Sequence, residues 1–230
     1  MDLQLHKNLN NLNLFWQALN AGEQDGLFTH TTWPNKQWRA DFSLPKDFAL
    51  APGQTFSTIA KHSTQDLSGY AVKSQLVVMN LSFEKEEEGK KQKHVNKTHQ
   101  KIIKLASGES ATTWATACGL AFGYEVDANV ILGLLNNPNA RVLSYMVDDH
   151  IAGTAISYKS GDTLGIHQVG TVPNFRKMGV AAALMEYLLT QAQHDDIDFV
   201  SLQASQAGMH LYEKMGFQAL TKITSLVAAE

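Results

Sequence analysis

Apolar residues first gather in a short amphipathic stretch at 12–19, which reads as a helix. A Trp-, Pro- and Thr-rich segment, THTTWPNKQWRADFSLP, follows, and then three strand-like runs at 38–44, 55–61 and 70–83. In the last run Val72, Gln75, Val77 and Val78 do not alternate, so only its β-branched content speaks for a strand. This half reads as a small α+β module without a catalytic constellation. After residue 100 the pattern is regular. It predicts a strand at 101–106, a helix entered through Ser107 and Ser110 and running to about Gly123, and a helix at 128–136 capped by Asp127. A hairpin of 141–147 and 151–158 comes next, then a strand at 163–172, a long helix, a strand at 199–205, a helix at 206–215 and a strand at 218–227. The order is βααβββαβαβ. It predicts an α/β protein with a mixed sheet, preceded by the smaller module, which could be a decayed half-copy.

Charge sharpens the division. The 230 residues suffice for one large domain or two modest ones. Residues 83–97, FEKEEEGKKQKHVNK, hold 4 Glu and 5 Lys with few apolar neighbours, which fits a solvated linker or exposed loop better than a basic binding patch. The expected organisation is therefore an accessory module at 1–82, a charged linker at 83–97 and a main domain at 98–230. A net charge of −3 argues against nucleic acid as a partner, because phosphate-backbone binding needs a clustered basic surface. The single cysteine, Cys118, leaves no intrachain disulfide and no zinc site built on a cysteine cluster, so no metal is expected and a reducing, cytoplasmic setting is. Neither a signal peptide nor a long apolar run is visible, so no membrane association is expected.

The informative stretch is GIHQVGTVPNFRKMGVAAALMEYLL, from 165 to 189. Pro173 ends a strand, and Arg176, Lys177, Met178, Gly179, Val180, Ala181 and Ala182 then present successive backbone N–H groups at a helix start. Such amides sit at the positive end of the helix dipole and suit a pyrophosphate. Gly179, Ala181 and Ala182 are small enough for close approach. Val180, Ala183, Leu184, Tyr187 and Leu188 fall on one face that would dock on a sheet. On these residues alone, a plain structural turn and a phosphate cradle both stay open. ATP is a poor occupant, since no Gly-Lys-Ser/Thr sequence is present to hold a triphosphate and its metal.

Arg176-Lys177-Met178-Gly179-Val180-Ala181 resembles the Gln/Arg-x-x-Gly-x-Gly/Ala loop of the GNAT superfamily of acyl-CoA N-acyltransferases, with Thr171-Val172-Pro173 before it as expected there. The run LQASQAGMHLYEKMGF is similar to that family's second block, with Leu211-Tyr212 and Gly216-Phe217 in register. The element order after residue 100 agrees as well, so the likeness covers about 130 residues. It implies a GNAT-type fold with acetyl-CoA as co-substrate. Gln168, Val169, Gly170 and Thr171 would pair with the amide arm of CoA, and Arg176 to Ala182 would hold its pyrophosphate. Ser205 stands where the family often has Asn and would offer a shorter-reaching contact.

Direct acyl transfer needs a neutral amine, a polarised thioester carbonyl and a proton for the departing sulfur. A backbone N–H of Val169 or Thr171 could stabilise the oxyanion. Tyr212 holds the position where the family places a tyrosine that protonates the sulfur, although a tyrosine packed for its ring alone is the competing reading. His167 shares strand parity with Gly165, Val169 and Thr171, so it is a candidate base. A merely hydrogen-bonded histidine is the alternative. Gln203 could line the cleft with Ser205 or only satisfy backbone groups. By analogy with the family the acceptor falls to GLAFGYEVDAN, where Phe122, Tyr124 and Glu125 are candidates; the two aromatics could equally plug a hinge. Trp33, Trp38 and Arg39 could cap the same cleft. The reading is a cytoplasmic N-acetyltransferase acting on a small amine or a peptide N-terminus, with a homodimer left open. A catalytically weak acyl-CoA sensor is the alternative.

Overall fold

The computed structural model describes residues 2–45, 49–50, 53–59, 67, 69–83, 101–105 and 108–229. In chain order the elements are α1 (Leu3–Ala18), β1 (Gly22–Gln24), β2 (Leu27–Thr29), β3 (Lys36–Arg39), β4 (Thr55–Thr58), β5 (Tyr70–Ser82), β6 (Ile102–Lys104), α2 (Gly108–Phe122), α3 (Ala128–Leu135), β7 (Ala140–Val147), β8 (His150–Ser160), β9 (Thr163–Thr171), α4 (Val180–His194), β10 (Phe199–Ala204), α5 (Met209–Lys214) and β11 (Gln218–Ala228). From β6 onward this is the order expected from the pattern. The charged stretch at 83–97 lies outside the described residues from position 84 on, as does Ser107.

The chain divides into two compact units, one of Met1–Asn80 with Ser201–Glu230 and the other of Leu81–Val200. In the first, strands run in the order β1-β2-β3-β4-β11-β5-β10. The pair β3–β4 is parallel, whereas β11 is antiparallel to both β4 and β5, so the C-terminal strand is built into the same unit as the N-terminal module. The α1 helix starts nine residues before the amphipathic stretch does, because Asp2 caps it by accepting from the Gln4 amide at 3.3 Å and because buried asparagines interrupt its apolar face. An additional hairpin joins β1 to β2 through Asp25 and Gly26, both with positive φ, the conformation that a two-residue turn requires. The expected strand at 38–44 ends at Arg39, and Phe42, at φ 56°, turns inward to meet Trp16.

The second unit has the strand order β9-β8-β7-β6, all antiparallel. On α2, Ala111, Trp114, Ala115 and Cys118 are buried at helical spacing, and the Trp114 indole donates to the Leu143 carbonyl at 2.8 Å. Asp127 caps α3 by accepting from the Asn129 amide at 2.9 Å. On α4, Val180, Ala183, Leu184 and Leu188 are buried as expected, while Tyr187 is half-exposed. The first turn of α4 presses so closely on Gly153 of β8 that a Cβ there would collide with Val180.

Candidate functional site

In the second unit the site is organised by a bulge in β9. Ile156 faces His167 and Thr154 faces Gly170, so Gln168 and Val169 together oppose the single residue Ala155. Gln168 adopts φ 51°, and the Thr154 hydroxyl takes over its carbonyl at 3.1 Å. The extra residue overturns the expected parity. His167 and Gly170 now share one face, and Thr171, paired with Gly153, lies on the other. Gly170 looks toward α2, where a Cβ would come within 2.7 Å of the Phe122 ring; Gly153 looks toward α4. His167 is 8% exposed, and burial pushes its pKa down to about 3. A side chain that stays neutral so far down is poorly suited to hold a proton taken from an ammonium group.

After β9 comes a short 3-10 turn, Pro173–Phe175, and then the loop to α4. Lys177 and Gly179 are both left-handed, at φ 66° and 77°, with Met178 between them in ordinary backbone. Alternation of this kind turns successive N–H groups toward one point and makes an anion-binding nest. The backbone N–H groups of Lys177, Met178, Gly179, Val180, Ala181 and Ala182 have no acceptor among the described residues; the first amide that does is Ala183, bonded to Gly179 at 3.0 Å. From Arg176 to Gly179 the loop is exposed. Unlike its neighbours, the Arg176 side chain is partly engaged, donating to the Ala121 carbonyl at the end of α2 at 3.2 Å.

The segment between α2 and α3 comes to the same strand. Tyr124 donates to the Gln168 side-chain oxygen at 2.8 Å, and the Cys118 thiol reaches it at 3.5 Å. Burial pushes the Cys118 thiol up to about 12 and the Tyr124 phenol above its usual range, so both remain protonated donors. Phe122 and Tyr124 stack at 5.5 Å and 19°, yet stay 40% and 43% exposed. Glu125 is exposed beside them. Phe122, Tyr124, Gln168, Gly170 and Arg176 are thus brought together within this unit. The bulge and Thr154, which stabilises it, escaped the sequence reading, because one inserted residue leaves no periodic trace.

In the first unit, Tyr212 lies on α5. It is 9% exposed, meets Phe217 edge-on at 6.0 Å, and packs on Gly208 so tightly that a Cβ there would stand 3.0 Å from its ring. Its hydroxyl has no hydrogen-bond partner among the described residues, and burial pushes its pKa up to about 12. Ser205 accepts from the Gly208 amide at 3.3 Å, so its hydroxyl helps to shape the turn into α5. Gln203 donates to Asn8 at 2.7 Å. Of the residues expected to cap a cleft, Arg39 is half-buried on β3, while Trp33 and Trp38 are packed inside this unit. Trp38 is fully buried, stacked on Phe28 and donating to Asn13 at 2.9 Å, and Trp33 is buried as well, so both serve the core of this unit.

Among the described residues there is no group of three or more metal-ligating side chains, and no helix is long and apolar enough to cross a membrane. No curated protein matches the chain. Among solved structures, a putative GNAT-family acetyltransferase from Novosphingobium aromaticivorans is similar over 100% of both chains at 14% identity, with a TM-score of 0.64. A GCN5-related N-acetyltransferase from Kribbella flavida is similar over 100% of this chain and 97% of its own at 14% identity, with a TM-score of 0.63. At such identities the likeness is one of fold, and it includes the N-terminal module. The model of the acetyltransferase (GNAT) family matches residues 109–217, which hold the bulged strand, the loop at α4 and Tyr212. The chain carries a domain of the acetyltransferase (GNAT) family.

Proposed function

We propose that the protein is an N-acetyltransferase that moves an acetyl group from acetyl-CoA to a primary amine, either a small molecule or a peptide N-terminus, by direct attack. The observation that carries this reading is the run of six unspent amides from Lys177 to Ala182, curved by left-handed Lys177 and Gly179. Amide donors converging at a helix N-terminus, with the Arg176 and Lys177 charges beside them, fit a pyrophosphate. The bulge at Gln168 and Val169 breaks the ladder with β8 just before Gly170 and Thr171, which stay paired to it, and this irregular stretch suits an amide arm that pairs like an added strand. When bound, acetyl-CoA supplies an activated carbonyl carbon and a sulfur leaving group.

The chain's own groups do the rest. An amide of Val169 or Thr171 steadies the charge that develops on the carbonyl oxygen. The proton given up by the amine nitrogen must finish on sulfur. Tyr212 sits above an ordinary thiol in pKa, at about 12 against about 8.5, so it stays protonated and stabilises the sulfur chiefly as a hydrogen-bond donor. With His167 held neutral, the amine proton leaves through water. The exposed Phe122–Tyr124 stack forms an apolar wall for the acceptor, and Glu125 offers charge to its ammonium. The lone, buried Cys118 suits a cytoplasmic setting.

Calorimetry with acetyl-CoA and with ATP, followed by thiol release with a library of amines, tests the reading. Acetyl-CoA should bind, ATP should not, and at least one amine should release thiol. Absence of acetyl-CoA binding overturns the proposal; binding without thiol release for any amine leaves a sensor in its place.

A further inference from the structure

In the second unit, a glutamine stands where the backbone asks for glycine. Gln168 lies in the β9 bulge at φ 51°, a left-handed conformation that glycine adopts without strain and a long side chain only at a cost. What glutamine adds over glycine is its side-chain oxygen. The Tyr124 hydroxyl donates to Oε1 at 2.8 Å and the Cys118 thiol at 3.5 Å, and burial keeps both donors protonated. One acceptor on β9 thus gathers donors from α2 and from the segment that follows it. Tyr124 needs such a tie. It lies beyond the end of α2, after Gly123 at φ 79°, in the stretch 123–127, which belongs to no helix or strand. Its stacking partner Phe122 packs over Gly170, where a Cβ would not fit, so the aromatic pair meets β9 on both sides of Val169.

We propose that Gln168 is a positioning residue for the acceptor: through Tyr124 it holds the Phe122–Tyr124 wall at the bulge, and the amine KM depends on that hold. The inference rests on the N-acetyltransferase reading and on the acceptor wall within it. Both rings of the wall are half-exposed, so burial alone contributes too little to fix their place. A directional hydrogen bond then decides where the pair sits. Every group in this arrangement belongs to the second unit.

The test uses the full chain and the amine that releases thiol fastest in the library. Gln168→Gly removes the side chain and relieves the left-handed strain, so the bulge should survive. Its amine KM should rise about fivefold, the size of one neutral hydrogen bond, while acetyl-CoA affinity stays within about threefold. A residue that only shaped the bulge would leave KM unchanged, because glycine suits this backbone better. Gln168→Met, of similar volume but without a comparable acceptor, should raise KM alike, so the proposal stays testable if Gln168→Gly does not fold. Tyr124→Phe keeps the ring, loses the tie and should raise KM by the same factor; adding Gln168→Gly should raise it no further. Fluorine NMR on protein labelled with fluorotyrosine needs no activity: the resonance that Tyr124→Phe removes should shift in Gln168→Gly. An unchanged KM in Gln168→Gly, a further rise in the double variant or an unmoved Tyr124 resonance overturns the proposal. If the parent protein acetylates no amine, the positioning role falls with the function. An unchanged KM in a protein that does acetylate overturns the positioning role alone.

Discussion

The asparagine-rich face of α1 and the loop from Arg176 to Ala182 are both polar, and they are opposite in use. Asn8 and Asn13 are buried, and their amide groups are consumed by Met79, Asn80, Gln203, Gln17 and Trp38. In the loop, six successive backbone donors are left over, and from Arg176 to Gly179 the chain is open to solvent. Buried polar groups that are paired set a unique arrangement, and unpaired ones at the surface are free to bind. Polarity along a sequence therefore locates chemistry only when it is known which groups are already spent.

Tyr212 tests that division most severely, because it belongs to both sides: its ring is buried and its hydroxyl is unspent. If the hydroxyl serves the departing sulfur, Tyr212→Phe should lower kcat about 100-fold or more while acetyl-CoA affinity and Tm barely move. The ring contacts with Phe217 and Gly208 are kept in phenylalanine, so an unchanged kcat would return Tyr212 to a packing role.

The loop was legible because its signal is local: Pro173, Gly179 and a run of small residues declare a turn and a helix start whatever packs around them. The order of elements after residue 100 was legible for the same reason, through its periods. The β9 bulge was not, because one added residue at Gln168 reverses parity without altering composition, and His167 changed faces with it. Nor was the role of α1. Asparagine is usually a surface residue, and only tertiary partners such as the Met79 carbonyl and the Trp38 indole show that these side chains face inward. The hairpin at Asp25-Gly26 could have been found, since that dipeptide is a strong two-residue turn signal; its flanking strands of three residues each were too short to register.

Paired substitutions sharpen the contrast between the two regions at an intermediate scale. Gly179→Val introduces a branched side chain at φ 77°, where no other atom stands within 4 Å of a Cβ, so the effect is on backbone conformation alone. Acetyl-CoA affinity should fall roughly 10- to 100-fold as the amides lose their convergence, with at most about 2 kcal/mol of stability lost. Asn13→Leu should do the reverse. It strands the fully buried Trp38 N–H and should cost about 1–3 kcal/mol in denaturant unfolding, with acetyl-CoA affinity unchanged in calorimetry. A loss of cofactor affinity in Asn13→Leu would erase the distinction between the regions.

The smallest effect on activity is expected at His167, which burial places on the spent side. His167→Asn should leave kcat within about threefold, and the kcat–pH profile should keep its shape between pH 6 and 9, since a group with a pKa of about 3 does not titrate there. Its signature should appear in stability instead. Burial holds His167 near 3 and His30 near 4, both below the unfolded value of 6.5, so the unfolded chain binds more protons as pH falls. Stability should be complete above about pH 6.5 and decline below it, by about 1.4 kcal/mol per pH unit for each histidine, until pH nears 4 for His30 and 3 for His167. Urea unfolding at pH 7.5 and pH 5 should therefore show a drop of about 2 kcal/mol from His167 that His167→Asn removes, leaving the share of His30. An inflection in kcat near pH 6.5 that disappears in His167→Asn would instead move this histidine to the catalytic side and break the contrast at its least expected point.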